Sequence, residues 1–474
     1  MNGGRLAFAI LYYFEVKSMT QDTTIAAIAT GNAPGGIGVI RISGSNAISV
    51  AEKVFSPMDG SRLSDLEGYR AKYGTVIIDG KGSDNGVALI FRAPKSYTGE
   101  DVAEISVHGG MLVVNKTLQA VLDAGAVPAG AGEFTKRAFL NGKMDLTQAE
   151  SVAELISAQG EEAMRASYSA LQGSLSKKIN AVLTQLLDTS ALMAAWVDYP
   201  DEEIPELEEA QLKKTLTHCI HQLSRLLANY DNGQTITNGV DTAIVGRPNV
   251  GKSSLMNMLV GKERSIVTQI EGTTRDIIED SVTLDGIVLH LRDTAGIRDS
   301  GDVVESIGIE RAYKALEDAE LIMAVFDGSE ALNRYDLQLI EKCRGRNAVA
   351  VINKSDLKQS IDMDIIKQSF DNVVTVSAKE GLGPEELSAC VRDMLGVADF
   401  DSTAPMLANA RQRQNCQNAL DCLTQAMDGV KTGITYDAIN VMIDGAADQL
   451  LSLTGKKATT EVVNNIFSKF CVGK

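Results

Sequence analysis

The run Gly246-Arg-Pro-Asn-Val-Gly-Lys-Ser253 fits the phosphate-binding pattern G-x-x-x-x-G-K-[ST]. Glycines in such a loop let backbone N–H groups wrap an anion at a helix N-terminus. Lys252 is placed to reach the β- and γ-phosphates of a nucleotide, and the Ser253 hydroxyl to bind Mg²⁺. Asn249, Val250, Gly251 and Ser254 complete the cradle. A second run, Asn353-Lys-Ser-Asp356, can choose the base. A carboxylate at Asp356, expected to be buried, accepts from both guanine N1–H and the 2-amino group. Adenine lacks that donor pair, so discrimination is large. Asn353 and Lys354 belong to the same loop, and Ser377, Ala378 and Lys379 fit the remaining base-contacting loop. In Asp293-Thr-Ala-Gly296, Asp293 is expected to hold Mg²⁺ through water and Gly296 to offer its N–H to the γ-phosphate, with Thr294 and Ala295 between them. Gly272-Thr-Thr-Arg-Asp276 supplies Thr274, a switch threonine for Mg²⁺. The phosphate-loop run is a strong signal alone, whereas a chance Asp-Thr-Ala-Gly or Asn-Lys-Ser-Asp means little. Together, in the chain order Gly246, Gly272, Asp293, Asn353 and Ser377, between residues 242 and 381, they describe an enzyme that binds and hydrolyses GTP.

One position departs from the Ras-type pattern. There a Gln directly after D-x-x-G orients the attacking water. Here Ile297 occupies it and cannot hydrogen-bond water. Arg298, Asp299, Asp302 and Glu305, just downstream, are the candidates for that task, and the residues alone do not choose among them.

The elements around these runs fit the chemistry. The strand Thr242-Ala-Ile-Val245 feeds the phosphate loop, and a helix beginning Ser254-Leu-Met-Asn follows it. Ala348-Val-Ala-Val-Ile352 precedes the base-selecting run, Val373-Val-Thr-Val376 the Ser377 loop, and Val288-Leu-His-Leu291 the Asp293 run. Alternating strands and helices from 240 to about 396 predict a mostly parallel α/β sheet, with its site at the strands' C-terminal ends. Residues 22 to about 140 read as β-rich. Ile37–Ser43, Tyr73–Asp79, Val87–Phe91 and Val102–His108 alternate, and helices are expected near 46–55 and 111–124. From Thr147 to about Tyr230, and again from 405 to 470, apolar residues recur at helical spacing.

The chain has 474 residues, too many for one core. Its net charge of −17 makes it a poor general polyanion binder, so any nucleic acid must be held by a local basic patch or a partner. The six cysteines form no C-x-x-C pair and read as reduced thiols. His218, Cys219 and His221 read as a helix surface rather than a metal site. Leu6–Phe14 is apolar but too short to span a bilayer. Residues 1–18 read as an upstream extension, and the protein as cytoplasmic with no membrane role.

Further segments carry a resemblance. Ala33-Pro-Gly-Gly-Ile-Gly-Val-Ile-Arg-Ile-Ser-Gly44, Ser96-Tyr-Thr-Gly-Glu-Asp101, His108-Gly-Gly110, Gly132-Glu-Phe-Thr-Lys-Arg-Ala-Phe-Leu-Asn141, Lys143-Met-Asp-Leu-Thr-Gln-Ala-Glu150 and the terminal Cys471-Val-Gly-Lys474 are far more specific than the nucleotide runs. From about Asp22 to Lys474 the sequence resembles the MnmE (TrmE) family of tRNA-modification GTPases.

The resemblance implies a multidomain α/β plus α architecture. A β-rich folate-binding and dimerisation domain would cover 19–140, a discontinuous helical domain 141–236 and 399–474, and an inserted Ras-like G domain 237–398. It implies a homodimer that works with the flavoprotein MnmG (GidA), in a heterotetramer or larger complex. Together they add an aminomethyl or carboxymethylaminomethyl group to carbon 5 of the wobble uridine in certain tRNAs. The carbon would come from 5-formyl- or 5,10-methylene-tetrahydrofolate. Asn249, Thr268, Ile270 and Thr273 would ligate K⁺, and Gln269, Glu271 and Gly272 would lie with them in the nucleotide-binding loop. K⁺ there can neutralise charge as an arginine finger does. Glu305 would orient water, alongside Lys252 and Gly296 in catalysis. Arg41, Glu104, Lys143 and Lys474 would contact folate, and Cys471 would be essential for modification. On spacing alone, Arg41 and Glu104 read equally well as a surface ion pair. A ribosome-assembly GTPase of the Era or Der kind is the alternative. It would share the nucleotide runs but lack the folate segments and the terminal Cys-Val-Gly-Lys.

Overall fold

The computed structural model describes residues 23–31, 33–198, 208–262, 280–291 and 316–474. They fall into two compact units. The first comprises the described residues of Met1–Ala153, Ile179–Leu207 and Thr432–Lys474, and the second those of Glu154–Lys178 and Glu208–Lys431.

In the first unit the strands are β1 (Ile25–Ile28), β2 (Ile37–Ser43), β3 (Phe55–Pro57), β4 (Arg70–Ile78), β5 (Lys81–Phe91), β6 (Val102–His108) and β7 (Val127–Pro128). They form one sheet in the order β3-β4-β5-β6-β2-β1-β7. All neighbours run antiparallel except β1 and β7. Helices Ala47–Val54 and Met111–Asp123 stand where the sequence places them. They bury Ile48, Val50, Val114 and Val121 with Ile40, Ile42, Ile90 and Ile105 of the sheet. Alternation does the sorting: the odd-numbered partners on β2 and the even-numbered ones on β6, including Arg41 and Glu104, fall on the face away from that core. Strands β4 and β5 run longer than their apolar alternation suggests. Their added residues pair across a hairpin, with a register shift between Val76 and Ile77.

The same unit ends in helices Tyr436–Thr454 and Thr460–Phe467. The last packs on helix Glu133–Leu140, where Phe139 meets Phe467 at 6.3 Å between ring centres. That contact delivers the chain end to the sheet. Ala131 bridges Val472, and the Phe134 N–H donates to the Lys474 carbonyl at 3.2 Å.

In the second unit β8 (Val240–Val245), β9 (Asp280–Leu284), β10 (Ile287–Leu291), β11 (Leu321–Asp327), β12 (Ala348–Asn353) and β13 (Asn372–Thr375) form a sheet in the order β13-β12-β11-β8-β10-β9. Only β9 is antiparallel to its neighbour. Every residue of β11 and β12 is buried, which is why these strands read as unbroken apolar runs. Ala163, from helix Glu161–Leu171, joins the core formed by Ile287, Leu289 and Val325. Burial there explains why Glu154–Lys178 groups with this sheet although its own sequence is purely helical. No described helix is long and apolar enough to cross a membrane.

Candidate functional sites

The phosphate loop leaves β8 and enters helix Lys252–Lys262. Val250 is fully buried and anchors it, while Asn249, Ser253 and Ser254 are exposed. Asn249 adopts a left-handed backbone, φ +65°. Lys252 donates to the carbonyls of Gly246 at 2.8 Å and Arg247 at 3.0 Å. Burial holds its pKa below the usual lysine value. The loop is pinned from outside by Arg247, which reaches Glu330 at 2.6 Å and Asp336 at 3.4 Å.

Asn353 ties the loops together. Its buried carboxamide donates to the Val250 carbonyl at 2.8 Å and accepts from the Ala378 N–H at 3.0 Å. Gly251 makes room for it. A Cβ there would lie 2.2 Å from the Asn353 amide nitrogen, on a backbone with φ +96°. Ser377, also buried, donates to Asp356 at 2.6 Å. That bond, ahead of the smaller effects of nearby Lys379 and Lys354, holds the Asp356 carboxyl below its usual pKa. Asp356 itself is exposed, not buried as expected. It stands past the end of β12, where the strand's burial has stopped and the hydroxyl of Ser377 supplies its anchor. Lys379 is exposed beside Glu380. The structure thus joins Val250, Gly251, Asn353, Asp356, Ser377 and Ala378 in one network, with Lys252 beside it in the same loop.

Thr268, Gln269, Ile270, Glu271, Gly272, Thr273, Thr274, Asp293, Thr294, Ala295, Gly296 and Glu305, together with Ile297, Arg298, Asp299 and Asp302, lie outside the described residues, as does the 1–18 extension. What is described between them is the β9–β10 hairpin, whose turn residues Asp285 and Gly286 both have positive φ.

The first unit holds a second cluster. The β2–β6 register sets Arg41 directly opposite Glu104, and the guanidinium donates to the carboxylate at 2.7 Å. Arg41 also donates to the Gly473 carbonyl at 3.3 Å. Gly473 is the residue this approach demands: its φ is +100°, and a Cβ would lie 2.2 Å from the Ile28 carbonyl oxygen. Lys474 sits close enough to feel both charges. Burial, reinforced by Arg41 and opposed by Glu104, lowers its pKa. The Arg41 guanidinium faces the rings of Tyr97 at 5.6 Å and Phe134 at 5.7 Å. Tyr97 is fixed in turn by Thr135 at 2.9 Å. Behind it Arg137, buried, bonds Glu133 at 2.8 Å and Glu100 at 3.2 Å.

Arg41, Glu104 and Lys474 therefore lie together in the structure. Lys143 is exposed and donates to the Pro94 carbonyl at 2.9 Å. Cys471 is exposed, and its carbonyl accepts from the Gly132 N–H. Tyr97 and Phe134 were not singled out by sequence. The signal was present, since both lie in the segments that carry the family resemblance. The His218–His221 stretch is divided: Cys219 is fully buried and both histidines are exposed, so the cysteine belongs to the helix's inner face rather than its surface.

Comparison with known proteins finds family matches to both parts of the chain. A family model described as "MnmE helical domain" matches residues 146–471, and one described as "GTP-binding protein TrmE N-terminus" matches 24–143. The "tRNA modification GTPase MnmE" of Clostridioides difficile (strain 630) is 38% identical over 96% of this chain and 99% of its own. That of Symbiobacterium thermophilum is 40% identical over 96% of this chain and 100% of its own. The solved G domain of the T. maritima FeoB iron transporter is 28% identical, covering 33% of this chain and 98% of that one, at TM-score 0.25.

Proposed function

The chain belongs to the MnmE family of tRNA modification GTPases, a family of GTP hydrolases, and from that premise we propose that it couples K⁺-stimulated GTP hydrolysis to modification of a tRNA wobble uridine. The observation that carries the hydrolytic half is the Asn353 carboxamide, bonded to the phosphate loop on one side and to the Ser377 loop on the other. It makes one rigid frame for phosphates and guanine. Lys252 would then meet the β- and γ-phosphates, and Ser253 with Thr274 would hold Mg²⁺. Asn249 with Thr268, Ile270 and Thr273 would hold K⁺, which would supply positive charge beside the phosphates. Glu305 positions the attacking water, a role Ile297 cannot fill. The left-handed turn at Asn249 supports this by keeping a short polar side chain at the loop's exposed rim.

The modifying half rests on the Arg41 cluster. Folate carries a flat aminopyrimidine and a carboxylate tail. The Glu104 carboxylate suits ring N–H donors, the half-buried Tyr97 suits the ring, and Arg41 with Lys474 suits carboxylates, while the wholly buried Phe134 backs the Arg41 guanidinium from the core side. Residues of this cluster would bind and orient the one-carbon carrier. Cys471, exposed nearby in the chain, would serve the modification. The domains would run 19–140, 141–236 with 399–474, and 237–398, in a homodimer partnered by MnmG.

The deciding experiment is GTP hydrolysis in K⁺ and in Na⁺ at equal ionic strength. Faster turnover in K⁺, lost in Asn249→Ala, is expected. Equal rates in the two salts would sink the cation-activated reading.

A further inference from the structure

The base-selecting run has a partner that no motif contains. Asp327 ends β11 and lies opposite Asn353 in the register with β12. Its carboxylate is almost wholly buried, 2% exposed. One oxygen accepts from the Ser329 N–H at 3.0 Å and hydroxyl at 2.6 Å, and the other from the Lys354 ammonium at 2.5 Å. Burial works to raise its pKa, but Lys354 and Ser329 outweigh it, and the carboxyl stays below the usual range. Lys354 is itself unusual, a non-glycine residue at φ +64°. That conformation is costly for a residue with a Cβ and persists only when the surroundings hold it.

The surroundings do hold it. The Gly328 N–H donates to the Asn353 carbonyl at 2.9 Å, and the Gly328 carbonyl accepts from Ser360 at 2.8 Å. Gln359 caps the Lys354 carbonyl at 3.0 Å. The end of β11 is thus stitched to the base-selecting loop along its length.

Position gives the pair its meaning. β11 lies between β12, which bears the base-selecting loop, and β8, which bears the phosphate loop. β8 pairs with β11 as far as Ala324, so Asp327 lies three residues further along β11, at the sheet's carboxyl end. A nucleotide with its base at Asp356 and its phosphates at Gly251 must pass over that end. The Lys354 stem, drawn from β12 toward Asp327, lies along this path.

We infer that Asp327 is a positioning residue for guanine-nucleotide binding: it anchors the Lys354 ammonium so that the lysine's apolar stem forms a fixed floor under the purine and ribose. The inference deepens the nucleotide reading and rests on it. It does not depend on K⁺, folate or a partner.

The test uses the full chain. Calorimetry gives the GDP affinity, and steady-state hydrolysis of GTP gives kcat and KM. Asp327→Ala is expected to weaken GDP binding about tenfold and to raise KM in step, while kcat stays within about twofold, as for loss of uniform binding. Lys354→Met keeps the stem but removes its anchor, and the same tenfold loss of GDP affinity is expected. The double variant should bind GDP no worse than either single one, because each removes the same link. Unchanged GDP affinity in Asp327→Ala, additive losses in the double variant, or a fall in kcat at constant KM would each overturn the inference. Should Asp327→Ala fail to fold, unchanged affinity in Lys354→Met overturns it alone. A wild-type chain that bound no GDP would overturn the nucleotide reading, and this inference with it.

Discussion

The groups that frame the nucleotide arrive as short contiguous runs: Gly246–Ser253, Asn353–Asp356 and Ser377–Lys379, each at the end of a parallel strand. The groups around Arg41 arrive singly, from β2, β6, the segments holding Tyr97 and Phe134, and the chain's last residues. Arg41 and Gly473 are 432 residues apart in sequence. A phosphate loop needs only one turn's backbone geometry, so a run of residues can specify it. A guanidinium held among a carboxylate, two rings and a carbonyl needs a whole folded unit to bring them together. The first kind of site should fail when one motif residue changes. The second should fail when packing elsewhere in its unit changes.

The sharpest break would come at Asp356. Asp356→Asn is expected to turn base preference from guanine toward xanthine, by roughly 10³-fold in the GTP-to-XTP ratio of kcat/KM. An unchanged ratio would mean that Asp356 does not read the base, whatever Ser377 holds in place. Glu305→Ala comes next. Single-turnover hydrolysis should fall by roughly 10²-fold or more with GDP affinity kept, as for loss of a water-positioning group. Hydrolysis equal to wild type would pass the role to another group, with Asp302 next in line.

The Arg41 cluster offers the complementary test. Arg41→Ala should weaken 5-formyl-tetrahydrofolate binding by about tenfold or more in calorimetry and leave GTP hydrolysis as it was. Gly473→Val, which touches no ligand group directly, should do nearly as much, because its side chain would collide with the Ile28 carbonyl. Should Gly473→Val bind folate like wild type, the cluster does not depend on the docked chain end. The smallest effect belongs to a site with no ligand. Asn333 caps helix Arg334–Cys343 through Tyr335 and Asp336, in a capping box. Asn333→Ala should cost about 1 kcal/mol of stability in denaturant unfolding. A larger loss would show that the Asp336–Arg247 link to the phosphate loop is disturbed as well.

Reading the sequence by itself determined the phosphate loop, the base-selecting run, the strands that carry them and the helices at Ala47–Val54 and Met111–Asp123. Each depends on interactions within a few residues: apolar alternation, a glycine where a turn needs one, a strand ending in a polar loop. It could not say that Asp356 would be exposed, that Cys219 would face inward beside exposed histidines, or that Lys143 would turn to Pro94. It did not single out Asp327, Tyr97 or Phe134 at all. Those outcomes are set by sheet register and by which helix packs on which. The pairing of Arg41 with Glu104 follows from β2 lying beside β6 in one register, and a slip of one residue would send Arg41 to the opposite face. Lys354 meets Asp327 because β11 and β12 are neighbours whose ends align. Local sequence cannot encode such neighbours, since the energy that selects them comes from burying the core between them.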